Sequence, residues 1–165
     1  MPFLKSVLYV FFCGVLSHFI GEALPRKWFH YDRFPFAAWK WERGGRIYDR
    51  LRIREWKDRM PDLSRVMKDM VPKRLPLFPT AAQVRRLIQE TCVAEAVHVA
   101  LCITAYGIEF FWAGPMGSFL ALITILGNIP FIIIQRYNRP MLVALAERLE
   151  EREERRHHAC ADSVG

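Results

Sequence analysis

The chain has 165 residues; 52% are hydrophobic, 25% are charged, and the net charge is +7. Apolar and charged residues occupy separate blocks instead of alternating along each helix, which argues against a soluble domain and is typical of a membrane protein. Basic side chains beside apolar blocks favour lipid as the partner, and no nucleic-acid partner is predicted.

The first apolar block predicts a membrane span over residues 1–24. Lys5 ahead of an apolar core would also suit a signal peptide, but no small-residue cleavage site follows, so we expect the span to be retained. His18 and Glu22 lie four residues apart near the end of this span. They could join a polar pocket with other spans or serve a structural role.

Residues 25–90 form a polar segment that contains 17 of the 24 Lys and Arg residues. Aromatic residues crowd its first half: Trp28, Phe29, Tyr31, Phe34, Phe36, Trp39, Trp41, Tyr48 and Trp56. Aromatic and basic side chains together are typical of a membrane–water interface. Within the segment, Ile47, Leu51 and Trp56 among basic residues predict an interfacial amphipathic helix over residues 45–60.

The end of this segment predicts the start of the next helix. Residues 71–79 contain three prolines and predict a rigid connector. Thr80 follows, with Gln83 three residues later, which is the spacing of a capping box. We expect a helix that begins amphipathic and enters the bilayer near Thr91.

Two further apolar blocks predict spans over residues 91–113 and 117–134. Each is about long enough to cross a hydrocarbon core of about 30 Å, the second only just. Gly114 and Pro115 separate them, and so short a link requires an antiparallel pair. Disruptive residues at 127–130 leave open the alternative that the third block forms two half-spans.

The remainder predicts an amphipathic helix over residues 135–156, with Pro140 at a first helical position, and a disordered tail over 157–165. The fold class is therefore all-α: one integral membrane domain with about three transmembrane helices and interfacial amphipathic helices. We expect a multi-pass protein of the cytoplasmic membrane. Since Lys and Arg concentrate in residues 25–90 and after residue 134, the positive-inside rule places both regions in the cytosol.

Four side chains form one stripe on the second span at spacings of four, three and four: Thr91, Glu95, His98 and Cys102. Ionisable groups in a membrane usually face protein and mark function. Glu95 could orient His98 as a general base toward a hydroxyl, or the pair could be a structural contact between helices. A single Glu-x-x-His motif is too little for a metal centre, so neither a metal nor another cofactor is predicted.

A second polar cluster ends the third span at the same predicted depth. It comprises Asn128, Gln135, Arg136, Tyr137, Asn138 and Arg139. The arginines could extend to lipid headgroups or bind phosphate, and the amides could support an oxyanion.

Three stretches give the sequence a family resemblance: WERGGRIYDRLRIREWKDRMPD (residues 41–62), ETCVAEAVH (90–98) and NIPFIIIQRYNRP (128–140). On these motifs the chain resembles the glycosyl-4,4′-diaponeurosporenoate acyltransferases, a family of small membrane enzymes of carotenoid glycolipid synthesis. The resemblance does not include His18 and Glu22 or the charged run near the C-terminus.

The resemblance implies transfer of a fatty acyl group to a hydroxyl of a glycosylated carotenoid or similar glycolipid, with acyl-CoA as the expected donor. His98 would be the base and Glu95 its orienting partner. Substrate binding is expected from Thr91, Asn128, Gln135, Arg136, Asn138, Arg139, Lys57 and Trp56. A non-catalytic scaffold for lipid enzymes and another membrane enzyme on apolar lipids remain alternatives. Three spans are few to enclose two lipid substrates, and a homodimer could complete the enclosure.

Overall fold

The computed structural model describes residues 1–57 and 78–162, and these ranges contain helices but no strand. The α-helices are α1 (Pro2–Ala23), α2 (Ile53–Trp56), α3 (Ala81–Thr104) and α4 (Pro115–Asp162). Segments of 3₁₀-helix cover Arg26–Trp28, Lys40–Leu51 and Ala105–Phe110. Three helices are long and apolar enough to cross a membrane: α1, α3 with its 3₁₀ extension, and α4. The prediction of an all-α protein with three membrane spans is confirmed.

Helices α3 and α4 form an antiparallel pair that makes the main contact of the fold. The predicted capping box starts α3: Thr80 Oγ1 accepts a hydrogen bond from the Gln83 amide at 3.3 Å, and Gln83 Oε1 accepts one from the Thr80 amide at 3.0 Å. Gly114, with a φ of +97°, makes the turn before α4, a conformation that glycine adopts without steric cost. Most of the predicted connector (residues 71–77) lies outside the described residues.

Helix α4 is continuous over 48 residues, so the predicted break between residues 134 and 135 is wrong, and no half-spans form. Pro130 and Pro140 lie inside it. The helix survives them because both sides of each proline are packed on α3; beyond Pro140, Ala146 forms a buried cluster with Val84 and Ile88. At a rise of about 1.5 Å per residue the helix is about 72 Å long, more than twice the hydrocarbon core.

The last part of α4 extends beyond this packing. Residues 151–161 are exposed, in agreement with a solvated charged run. The predicted disorder from residue 157 is wrong up to Asp162, where the helix ends. Here the sequence alternates acidic and basic residues at spacings that support a helix, as in the Glu151–Arg155 ion pair.

The predicted interfacial helix over residues 45–60 is also different. A 3₁₀-helix covers Lys40–Leu51, and α2 follows after Arg52, whose φ of +51° interrupts the helical path. This interruption directs the Ile53 side chain into a buried cluster with Tyr48 and Tyr137. Packing on α4 therefore decides the local conformation. Residues 58–60 of the predicted helix lie outside the described residues.

Helix α1 packs on α3 and on its 3₁₀ extension through small residues. A Cβ atom at Gly107 would lie 2.1 Å from the hydroxyl oxygen of Tyr9, and one at Gly21 would lie 3.0 Å from Val97 Cγ2. The same Tyr9 hydroxyl donates a hydrogen bond of 2.8 Å to the Thr104 carbonyl oxygen. Close backbone approach of this kind is typical of helix contacts in membranes.

Arg26 secures the end of α1. Its Nη1 donates to the carbonyl oxygens of Gly21, Glu22 and Leu24 at 2.7–2.9 Å, which are among the groups that a helix end leaves unbonded. Its Nε and Nη2 bind both carboxylate oxygens of Glu90 on α3 at 2.9 and 3.0 Å. This hydrogen bonding raises the pKa of Arg26 above its usual value.

We expect Arg26→Gln to destabilise the protein by about 2 kcal/mol, because the cap of α1 and a charged hydrogen-bonded contact to α3 are lost together. The free energy of unfolding in detergent micelles measures this effect. Lys27→Gln is the control, since Lys27 is the exposed neighbour. Equal stability of the two variants would contradict the role of Arg26.

Candidate functional site

A buried network of four charges connects the middle of α3, the middle of α4 and the first turn of the 3₁₀-helix Lys40–Leu51. We define the ion-pair network as Glu42, Glu95, Arg136 and Arg139. Arg136 Nη1 donates to Glu95 Oε1 at 2.6 Å, and its Nη2 donates to Glu42 Oε2 at 3.0 Å. Arg139 Nη2 binds the other oxygen of Glu95. Two carboxylates and two guanidinium groups leave the network with no net charge.

The remaining N–H groups of the arginines are also bonded. Arg136 donates to the carbonyl oxygens of Pro35 at 3.3 Å and Ala37 at 3.1 Å. Arg139 donates to the Phe36 carbonyl oxygen at 2.6 Å and to Thr91 Oγ1 at 3.0 Å. The loop before the 3₁₀-helix thus turns its backbone carbonyls toward the two cations. Burial is tolerated because every charge has partners.

These bonds involve three of the predicted substrate-binding residues, whose binding role stays a prediction. Arg136 and Arg139 were expected to bind donor phosphates, and Thr91 was expected to contact substrate. Both guanidinium groups instead donate hydrogen bonds to acceptors of the protein. The Thr91 hydroxyl accepts from Arg139 and donates to the Ile88 carbonyl oxygen. These three residues therefore hold the helices together.

Aromatic rings cover the network on the side of the loop. The Trp39 ring centroid lies 5.0 Å from Arg136 Cζ, and the Phe36 centroid lies 5.7 Å from Arg139 Cζ. Phe29 packs against Phe36, with their centroids 5.6 Å apart, and is itself buried. Phe29 and Phe36, two of the aromatics predicted for the lipid interface, therefore pack inside the protein, while Trp39 covers Arg136 from an exposed position.

Glu42 is the member of the network that sequence reasoning did not select for the site. Its side chain is only 2% exposed, and it accepts hydrogen bonds from the Tyr48 hydroxyl at 2.6 Å and the Trp39 amide at 2.8 Å. Burial favours the neutral form, but the bonds from Arg136, Tyr48 and Trp39 hold the pKa of Glu42 below its ordinary value. Burial and the neighbouring carboxylate raise the pKa of Tyr48. The only sequence feature that pointed to Glu42 was its place in the first family motif.

His98 lies deeper in the span than the network. It is three residues beyond Glu95, about 4.5 Å along α3. Its Nδ1 is 2.8 Å from Asn128 Oδ1, and its ring stacks on Phe131 with centroids 4.7 Å apart and planes 8° from parallel. Asn128 Nδ2 donates to the Thr124 carbonyl oxygen at 2.8 Å, which fixes the orientation of the amide.

This arrangement sets the tautomer of His98. Since Asn128 Oδ1 is only an acceptor, Nδ1 carries the hydrogen, and the lone pair of the neutral ring lies on Nε2. The partner predicted for this role was Glu95, whose two oxygens bind arginines instead. Asn128 was predicted to support an oxyanion, but both ends of its amide are engaged. It positions the imidazole.

The other predicted site residues lie toward the end of the spans that carries the network, which we call the polar end. Lys57 Nζ donates to Asn138 Oδ1 at 3.3 Å and lies 5.4 Å from the Tyr137 ring centroid. Trp56 packs in the cluster of Tyr48, Ile53 and Tyr137, and Gln135 is buried on α4. Asn138 lies about 15 Å farther along α4 than Asn128, so it cannot act on a group held at His98.

His18 and Glu22 do not join these clusters through any contact among the described residues. Glu22 forms an ion pair of 3.5 Å with Arg26, and the His18 ring contacts Phe19. Farther along the stripe of α3, the Cys102 thiol lies 3.9 Å from the Ile125 carbonyl oxygen. Within residues 1–57 and 78–162, no three His, Cys, Asp or Glu side chains are placed to hold a metal ion.

A cavity of about 330 Å³ lies beside the network at the polar end. Tyr31, Phe36 and Val143 supply apolar walls, and Arg136 and Glu147 are among its polar residues. His98 is not part of its lining. The cavity and the imidazole therefore occupy opposite sides of the ion-pair network along the helices.

Comparisons with known proteins agree with the family suggested by the motifs. The family model described as glycosyl-4,4'-diaponeurosporenoate acyltransferase matches residues 25–148. Proteins of that name from Staphylococcus aureus strains bovine RF122 / ET3-1, MRSA252 and USA300 are each 27% identical over 164 residues, covering 92% of this chain and 96% of the relative. No solved structure matches. The matched residues contain the whole ion-pair network, His98 and Asn128.

We expect Glu42→Gln to destabilise the protein by about 3–5 kcal/mol, because it leaves two buried guanidinium groups with Glu95 as their one shared carboxylate in the network. The double variant Glu42→Gln/Arg136→Gln restores the neutrality of the network, so it should lose less free energy of unfolding than the sum of the two single changes.

Unfolding in detergent measures all three variants, with Glu55→Gln as the control. Glu55 pairs with Arg52 at an exposed position, where an ion pair contributes at most about 1 kcal/mol. Simple additivity of the two single effects would show that the charges are not coupled.

Proposed function

This chain belongs to the glycosyl-4,4′-diaponeurosporenoate acyltransferase family and is an acyltransferase, and on that premise we propose that it moves a fatty acyl group from acyl-CoA to a sugar hydroxyl of a glycosylated carotenoid. The name shared by its relatives supports the acceptor class. The donor is argued from the position of the polar residues. Both substrates have long apolar chains, which suits a site between membrane-spanning helices.

The observation that carries the mechanism is the imidazole of His98 held by Asn128 and Phe131. Nε2 takes the proton of the acceptor hydroxyl while the hydroxyl oxygen forms a bond to the thioester carbonyl carbon. The carbon–sulfur bond then breaks, and the leaving thiolate takes the proton from the imidazolium. An ester, a free thiol and the neutral imidazole remain, so the residue is ready for another cycle.

The ion-pair network supports this reaction indirectly. It fixes α3 against α4 through Glu95, Arg136 and Arg139, one turn from His98 on α3. A base acts efficiently only when the reacting atoms are held within a few tenths of an ångström of the productive geometry. We therefore assign the network a positioning role and His98 the catalytic role.

We place the polar end of the spans in the cytosol and the protein in the cytoplasmic membrane. The basic residues support this orientation, since the segment from residue 25 to 90 holds 17 of the 24 Lys and Arg side chains. Acyl-CoA is a cytosolic metabolite with a charged, phosphate-bearing end. The same orientation lets the acyl chain enter the membrane while the phosphates remain at the polar end.

We expect His98→Gln to lower the rate of acyl transfer by at least about 100-fold, since a positioned base contributes about that much or more. The assay supplies labelled acyl-CoA and a glycosylated carotenoid to the purified protein in detergent. His18→Gln makes the same change on α1, outside the site, and should retain activity within about twofold. Unchanged transfer by His98→Gln would refute the base assignment.

Asn128→Leu should lower kcat by about 100-fold with little change in KM, because the ring loses its fixed orientation while the substrate contacts remain. Asn128→Asp should recover part of the rate and move the acidic limb of the pH–rate profile to higher pH, since a carboxylate beside Nδ1 stabilises the protonated ring. A merely structural residue would leave the pH profile unmoved.

A further inference from the structure

We infer that a groove on the 3₁₀-helix Lys40–Leu51 binds the phosphate groups of the coenzyme A donor, an inference that rests on the proposed function. The groove has a volume of about 510 Å³ and is lined by Trp41, Arg43, Arg46, Ile47 and Arg50. It is distinct from the cavity beside the ion-pair network. Among the described residues, three cationic side chains line it and no acidic side chain does.

The three arginines of the groove differ from those of the network in their bonding. Arg43, Arg46 and Arg50 are exposed and form no hydrogen bond or ion pair within the part of the chain that the structure describes. Arg136 and Arg139 are filled by protein acceptors. The phosphate contacts that the sequence suggested for the buried pair are therefore available on the groove instead, where guanidinium groups can bind phosphate in a bidentate manner.

The 3₁₀ conformation arranges these side chains. With about three residues per turn, residues three apart are eclipsed, so Ile47 and Arg50 stand in one row of the regular part of the helix. Arg43 itself has a φ of +49°, in the left-handed region where glycine is the easier choice. A strained arginine at the head of a basic groove is consistent with a need for its side chain.

One layer of aromatic rings connects the groove to the ion-pair network. The Trp41 ring packs edge-on against Trp39 and Tyr48, with centroids 5.7 and 6.3 Å away. Trp39 covers Arg136, and the Tyr48 hydroxyl donates to Glu42. The groove therefore lies at the polar end, on the same side as the network, and an ordered contact there can be transmitted to α4.

The position of the groove at the polar end is compatible with a coenzyme A thioester. Such a donor separates its reacting carbonyl from its phosphates by an extended pantetheine arm, so the carbonyl can lie at the depth of His98 while the phosphates stay at the polar end. Along α4 these two levels differ by about 12 Å, from Asn128 to Arg136. Trp41 is 52% exposed and offers a ring face on which adenine can stack.

A phospholipid headgroup offers the same phosphate chemistry, so the test must separate the two sources. The test variant is Arg43→Gln/Arg46→Gln/Arg50→Gln. The matched control, Arg148→Gln/Arg152→Gln/Arg156→Gln, removes the same charge from exposed positions on α4. Each protein is purified in uncharged detergent, and the Kd values of coenzyme A and of dihexanoyl-phosphatidylglycerol are measured by calorimetry.

We expect the groove variant to bind coenzyme A at least about tenfold more weakly than the control, because several charge-assisted hydrogen bonds are lost. In transfer assays its KM should rise for acyl-CoA but not for an acyl-pantetheine thioester, which lacks the phosphates. Equal Kd values for coenzyme A in the two variants would overturn the inference. A loss confined to phosphatidylglycerol would overturn the donor assignment in favour of a lipid headgroup.

The binding measurement is independent of catalysis. Coenzyme A carries no acyl group, so its Kd reports on the groove even if the protein were to use another acyl donor. Absence of transfer from acyl-CoA by the wild-type protein would therefore overturn the proposed function. The Kd of coenzyme A would still test the groove separately.

Discussion

The ion pairs of Glu42 and Glu95 with Arg136 and Arg139 are the interaction on which the rest of the structure depends. Charges buried in a low-dielectric surrounding are tolerated only when each has a counter-charge and further hydrogen bonds. Here α3, α4 and the loop at residues 35–42 each supply part of that requirement. No one of these segments could leave its place without exposing a cation or a carboxylate to an apolar environment.

This requirement fixes the register of α3 against α4, and the register positions the imidazole. Once Glu95 is paired with the arginines, the next inward turns of the two helices bring His98 opposite Asn128 and Phe131. The polar end thus carries the paired charges, and the deeper level carries the imidazole to which we assign the proposed catalytic role.

The extent of the family match agrees with this division. It runs from residue 25 to 148, and so includes the loop, both helices of the antiparallel pair and the whole network. Helix α1 lies outside the match and packs on the pair through Tyr9 and Gly21. The exposed end of α4, where Glu153 still accepts a hydrogen bond of 3.2 Å from the Ala81 amide, also lies outside it.

The sequence by itself determined the three spans, the Thr80 cap and the turn at Gly114, because these depend on local hydropathy, spacing and backbone preference. It also singled out three of the four residues of the ion-pair network, Glu95, Arg136 and Arg139, since ionisable residues stand out within apolar blocks. What only the tertiary structure decided was their pairing. Glu95 lies within reach of His98 along one helix, but Arg136 and Arg139, distant in the chain, bind its two oxygens, and Glu42 pairs with Arg136. The same long-range packing carries α4 through Pro140, where local preference alone predicts a helix boundary.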